Sequence, residues 1–221
     1  YSGGSGSGDL AHKIKLTKVD EDDNSVTLAN AVFTVTQPDG TTFNLTTGAD
    51  GTVTSEALVQ GTYKVKETAA PAGYELNNTE YTLQVTATDG ALQTITDKPI
   101  KTNISVTKTW VGPKAGPITV HLFANGTDTG TTLTLDDTNN WTASFTNVRK
   151  YDQSGTEIQY TISEDTVNGY DATITGNQTT GFTITNTERP QNPTTPKTSD
   201  STNIYLYIGM MFVGIIASGY L

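Results

Sequence analysis

KIKLTKVD, Lys13 to Asp20, and NISVTKTW, Asn103 to Trp110, decide the fold class. Both alternate apolar or β-branched residues with polar ones, the period of a half-buried strand. Residues two apart on a strand share a face. Ile14 and Leu16 therefore point inward together, and the next residue in that row is Lys18. Ile104 and Val106 form the matching row, which continues to Lys108 and Trp110. Two strands about ninety residues apart thus each aim a lysine into an apolar row.

The rest of the chain is organised around those two strands. Further strands are expected over 31–37, 52–58, 62–67, 80–87 and 91–97 after a first at 11–19. A second series is expected at 103–110, 117–123, 131–135, 141–146, 158–164, 171–175 and 181–187. The segments QPDG, GADG and ATDG separate the first series, and ANGTDTG and LDDTNN the second. Short strands at this spacing, in a chain rich in Thr and Gly, indicate all-β sandwiches. The expected divisions are a Gly/Ser linker at 1–8, a first domain at 9–100, a second at 101–188, a Pro/Thr-rich linker at 189–203 and an apolar segment at 204–221.

Composition narrows the function. The 221 residues include no cysteine, so disulfides and thiolate metal sites are excluded, and two histidines leave little for a metal centre or a Ser-His-Asp triad. No cofactor is expected. A formal charge of −10 opposes binding to a phosphate backbone, so no nucleic-acid partner is expected.

The two halves read as divergent copies. Tyr63 and Val65 are followed on their face by Glu67, and Tyr160 and Ile162 by Glu164. The closing strands bring Ile95 to Asp97, and Phe182 with Ile184 to Asn186. Each copy therefore directs a Lys, a Glu and an Asx inward, in that order. Burial disfavours the charged forms of Lys, Glu and Asp, which makes a lysine more nucleophilic and a glutamic acid a proton donor. In contact, such a trio is able to form an amide between Lys and Asx, releasing water from Asp or ammonia from Asn, with fixed geometry supplying the rate. The row pattern by itself favours a noncovalent hydrogen-bonded cluster, and its recurrence in both halves raises the covalent reading.

Several segments also carry a family resemblance. YKVKETAAPAGYEL, Tyr63 to Leu76, resembles the E-box of Gram-positive pilins and the same segment of Cna B-type domains. KIKLTKVDED is similar to the first strand of those domains. ISVTKTWVGPKAGPITVHLFANG, YTISEDTVNGY and GFTITNT resemble a second branch of the family, so that together the motifs span residues 11–187. The resemblance implies two tandem sandwiches of inverse immunoglobulin-like topology. It implies autocatalytic isopeptide bonds Lys18–Asp97, promoted by Glu67, and Lys108–Asn186, promoted by Glu164. Asp97 stands where many relatives have Asn.

The ends point to a cell surface. YSGGSGSG lacks the charged and apolar regions of a signal peptide and reads as an appended or interdomain linker of a fragment or processed product. TPKTS, comprising Thr195, Pro196, Lys197, Thr198 and Ser199, resembles a sortase sorting motif, with Thr for the usual Leu and Ser for the usual Gly. Ile204 to Leu221 is uncharged and long enough for a hydrophobic membrane helix, although the basic tail usual after such a segment is missing. The expected role is a structural stalk of a wall-anchored Gram-positive adhesin or pilin subunit, not an enzyme. Its expected partners are a sortase, the cell wall or other pilin subunits, and the membrane before sorting. The alternative is a module that binds a host-matrix protein directly.

Other motifs read as structural. Asp20 to Asn24 has alternating carboxylates, but Ser25 and Ala31 stand where a calcium loop needs Gly and Glu, so a solvated turn is expected. Lys114 is read as a loop residue, His12 and His121 as strand residues, and Trp110 and Trp141 as core aromatics. The NLT and NGT sequons have little meaning in a bacterium.

Overall fold

The structure, a computed structural model, describes residues 10–191. The variant sorting motif at 195–199 and the apolar segment at 204–221 lie outside them. Among the described residues no helix is long and apolar enough to cross a membrane.

The described residues form fourteen strands. The first sandwich holds β1 (Ile14–Asp20), β2 (Val32–Thr36), β3 (Thr42–Thr46), β4 (Thr52–Thr54), β5 (Gly61–Ala69), β6 (Glu80–Val85) and β7 (Ala91–Asp97). The second holds β8 (Lys101–Val111), β9 (Ile118–Ala124), β10 (Thr127–Leu135), β11 (Thr142–Arg149), β12 (Tyr160–Glu164), β13 (Tyr170–Asn177) and β14 (Gly181–Glu188). In the first sandwich a sheet of order β4-β1-β7 faces one of order β3-β2-β5-β6. In the second, β11-β8-β14-β13 faces β10-β9-β12. Each sandwich closes on its own core. Ile14, Leu16, Phe33, Val35, Tyr63, Val65 and Ile95 fill the first. Ile104, Val106, Val120, Leu122, Leu135, Phe145 and Ile184 fill the second.

In both copies the opening strand pairs in parallel with the closing one: β1 with β7, and β8 with β14. The sixth strand breaks the likeness. β6 joins β5, whereas β13 joins β14 in the opposite sheet. Burial accounts for the switch. Leu83 and Val85 are buried, which commits β6 to the core. In β13 Ala172 and Ile174 stay exposed, so it serves as an outer edge strand with no core obligation.

Four expectations are corrected. β3 was not expected: TFNLT offers only Phe43 and Leu45 as alternating apolar positions, yet Leu45 is buried and β3 completes a hairpin with β2. The expected strand 52–58 is paired only over Thr52–Thr54. The turn read across ANGTDTG is narrower. Asn125 and Gly126 alone reverse the chain, with φ of 49° and 81°, the pattern of a two-residue hairpin turn. Trp141 precedes β11 at φ 59°, and His12 precedes β1 at φ 61°, so neither is a strand residue.

The two sandwiches belong to one compact unit. Between β7 and β8, the Ile100 amide donates to Gly73 O at 2.9 Å and the Lys150 amide donates to Ile100 O at 2.9 Å, which ties the connection to both sides.

Candidate functional site

Strand parity and the β1–β7 register build the first site. Lys18 lies opposite Ile95, and Asp97 lies two residues further on, on the same inward face. Lys18 is 0% exposed, Glu67 2% and Asp97 1%. Lys18 Nζ donates to Asp97 Oδ1 at 2.5 Å and lies 2.9 Å from Glu67 Oε1. The second distance is that of an ion pair, although its angle falls outside hydrogen-bond geometry and Glu67 Oε1 has no hydrogen bond. Glu67 comes from the opposite sheet, so the cluster spans the sandwich. Phe33 covers it, with its ring centre 5.5 Å from Lys18 Nζ.

Burial pushes the Asp97 carboxyl up to about 7, against the hydrogen bond and charge of Lys18 and with the charge of Glu67. Near neutral pH this aspartate is therefore partly a carboxylic acid, the form that an amine attacks. The remaining carboxylate atoms are held unequally. Glu67 Oε2 accepts from the Asn77 amide at 2.8 Å, and Asn77 Nδ2 donates to Thr96 O at 2.8 Å. Asp97 Oδ2 is buried without a hydrogen bond. A polar pocket of about 400 Å³, lined partly by Glu75, Asn77, Tyr81 and Thr96, opens beside this loop.

The second site repeats the placement with different contacts. Lys108 lies opposite Ile184, with Asn186 two residues further on. Lys108 Nζ donates to Glu164 Oε1 at 2.7 Å, and Asn186 Nδ2 donates to the same oxygen at 3.1 Å. Glu164 again crosses from the facing sheet. Asn186 Oδ1 is buried without a hydrogen bond. Burial lowers the pKa of Lys108, while Glu164 opposes the shift. Trp110 caps the lysine, its ring centre 4.6 Å from Nζ, and stacks edge-on with Trp141 and Tyr170. All six side chains selected by row continuation are thus gathered into two buried trios.

Asp20 differs from the solvated turn residue that the sequence suggested. It is 0% exposed. Its Oδ2 accepts from Tyr74 Oη at 2.7 Å and from Arg149 Nη2 at 2.6 Å, and its Oδ1 accepts from the Asp22 amide at 2.8 Å. Arg149 belongs to β11 of the second sandwich. Burial works against the Asp20 charge, but the Tyr74 hydroxyl, Arg149 and the Asp22 amide outweigh it and hold the carboxyl below its usual range. The signal was available: Asp20 continues the inward row of Ile14, Leu16 and Lys18. Its distant partner Arg149 left no trace in the local pattern.

The other singled-out residues lie outside both trios. Lys114 pairs with the exposed Asp137 at 2.5 Å. His121 Nε2 meets Asp165 Oδ1 at 3.0 Å.

Comparison with known proteins gives a consistent picture. Residues 12–99 match the family model of the SpaA prealbumin-like fold domain, and residues 104–187 match that of the Cna protein B-type domain. A collagen adhesin of Staphylococcus aureus is 29% identical over 174 residues, covering 72% of this chain. The chain spans only 15% of that relative's length. The Bacillus anthracis TIE protein shares the fold, with a TM-score of 0.59 at 22% identity over 80% of this chain and 34% of its own. A single B repeat unit of the S. aureus collagen-binding surface protein is 24% identical, covering 80% of this chain and 97% of its own, with a TM-score of 0.39.

Proposed function

Starting from a chain that joins a SpaA prealbumin-like domain to a Cna B-type domain, we propose that it is a load-bearing stalk of a Gram-positive surface adhesin or pilin subunit. Each sandwich is locked by an internal isopeptide bond, Lys18–Asp97 in the first and Lys108–Asn186 in the second. The observation that carries this reading is the recurrence of a buried Lys–Glu–Asx trio between the opening and closing strands of both sandwiches.

In the first domain the Lys18 nitrogen attacks Asp97 Cγ. The new C–N bond replaces a C–O bond. The Lys18 amine brings two protons and the Asp97 carboxylic acid one; one of the three stays on the amide and two leave with the oxygen as water. Glu67 carries protons between the nitrogen and the departing oxygen. In the second domain Lys108 attacks Asn186 Cγ and the amide nitrogen departs, leaving as ammonium overall. Glu164, bonded to both reacting side chains, transfers the proton. Each centre reacts once and consumes itself, so the chain is not an enzyme acting on other molecules.

Force that enters through β1 and leaves through β7 would pass across the crosslink and bypass the strands between them. The TPKTS segment is proposed as a variant signal by which a sortase joins the stalk to the wall or to another pilin subunit, with the apolar segment as its transient membrane hold.

Intact-mass spectrometry tests the crosslinks. The full chain is expected to be lighter than its sequence mass by one water plus one ammonia. E67Q should restore the water and E164Q the ammonia. A full chain at the unreduced sequence mass would leave two noncovalent clusters.

A further inference from the structure

β1 carries two buried charges, Lys18 and Asp20, two positions apart. Residues two apart on a strand are separated by roughly 7 Å, within reach of a lysine side chain. Asp20 also stands directly across from Asp97 in the parallel register. The Glu21 amide donates to Asp97 O at 2.9 Å, holding the end of β1 against the reacting residue. The first trio therefore has a third carboxylate beside it.

The cation that meets Asp20 comes from the second sandwich, 129 residues along the chain. Arg149 Nη2 lies 2.6 Å from Asp20 Oδ2 and 3.5 Å from Asp22 Oδ2. The surrounding contacts fix it there. Lys101 Nζ pairs with Asp22 at 2.9 Å. Tyr74, whose hydroxyl completes the Asp20 cluster, bridges in β fashion to Pro99. Gly73 sits so close to Tyr151 that an added Cβ would lie 2.9 Å from the Tyr151 Cβ. The loop after β5 and the turn closed by the Tyr151–Glu157 bridge therefore lie in contact.

We infer that docking of the second sandwich controls crosslink formation in the first, with Arg149 occupying Asp20 so that Lys18 is left to Asp97. This rests on the isopeptide reading of the first trio. Without Arg149, Asp20 becomes a buried carboxylate without its cation, next to the only buried ammonium of the first trio. It favours the protonated form of Lys18 over the nucleophilic amine, and it offers that ammonium a partner other than Asp97. Arg149 touches neither reacting atom and is a positioning residue. Its effect runs through the Asp20 charge.

The test follows the first- and second-domain crosslinks separately, by peptide mass mapping of the full chain through a time course after synthesis. R149Q should slow water loss in the first domain several-fold and leave ammonia loss in the second unchanged. R149K should restore part of the rate and D20N·R149Q most of it, because the neutral pair removes the competing charge. D20N alone should form the first crosslink at an undiminished rate. That variant keeps the proposal falsifiable if R149Q does not fold. R149Q, folded by circular dichroism, with an unchanged first-domain rate would overturn the inference, as would slow crosslinking in D20N. Absence of water loss from the unaltered first domain would instead overturn the crosslink reading itself, so the two failures are distinct.

Discussion

Lys18 and Lys108 occupy equivalent places, yet each meets its acceptor differently. Lys18 already touches Asp97, while Lys108 and Asn186 meet through one oxygen of Glu164. The acceptors also respond differently to pH. In the proposed reaction, the reactive state of the first trio includes the proton that Asp97 holds up to about 7. Formation of the first crosslink should therefore slow as pH rises above about 7. Asn186 has no such proton to lose, so the second crosslink should show no falling limb there. Rates of water and ammonia loss from pH 5 to 9 would check this, and parallel profiles would refute it.

The same shift has a sign for stability before the crosslink forms. Asp97 binds its proton more tightly folded than unfolded, so between about 3.8 and 7 the folded state holds more protons. Its contribution is most favourable below the unfolded value and is lost as pH rises through about 7. Asp20 runs the other way. Its folded pKa is lowered, so its contribution is present above about 3.8 and is lost as pH falls through the folded value.

At the scale of elements, the loop before β4 holds the backbone of Lys18. Gly51 O accepts from the Lys18 amide at 2.8 Å. Gly51 has φ 73°, and a Cβ there would lie 2.5 Å from Thr27 Cβ and 2.8 Å from Leu28 N. Both the left-handed backbone and the crowding oppose a side chain. G51A should lower first-domain stability by about 1–3 kcal/mol, measured by denaturant unfolding in an E67Q background, where no first-domain crosslink masks the loss.

The strands that carry the trios were legible in the sequence because each holds a regular inward row that ends in a polar residue. The parallel pairing of opening and closing strands was not read from the sequence, because side-chain parity fixes which face a residue takes and not which strand lies beside it. β3 was not legible because only Phe43 and Leu45 mark it. The change of sheet by the sixth strand was hidden for another reason: β6 and β13 are both Thr-containing alternating segments, and only the burial of Leu83 and Val85 separates them. The Asp20–Arg149 pair depends on how two separate cores meet, which no local period encodes.

For the molecule as a whole, the proposed crosslinks would act mainly on the unfolded chain. Closing a loop of about 80 residues disfavours the unfolded state by roughly 4–5 kcal/mol in the chain-entropy account of a disulfide, and the amide resists reduction. The double variant E67Q·E164Q should therefore melt well below the unaltered chain, and reductant should change the melting temperature of neither. Calorimetry with and without dithiothreitol checks both outcomes. Equal melting temperatures for the two proteins would mean that the bonds add nothing to stability.

The parallel pairing of β1 with β7 and of β8 with β14 has a consequence for assembly. A strand that opens a sandwich and one that closes it in the same direction begin and finish at opposite poles. The polypeptide is therefore handed forward and does not double back to its starting pole. A further copy joined in the same way would therefore begin from the pole at which the one before it ended.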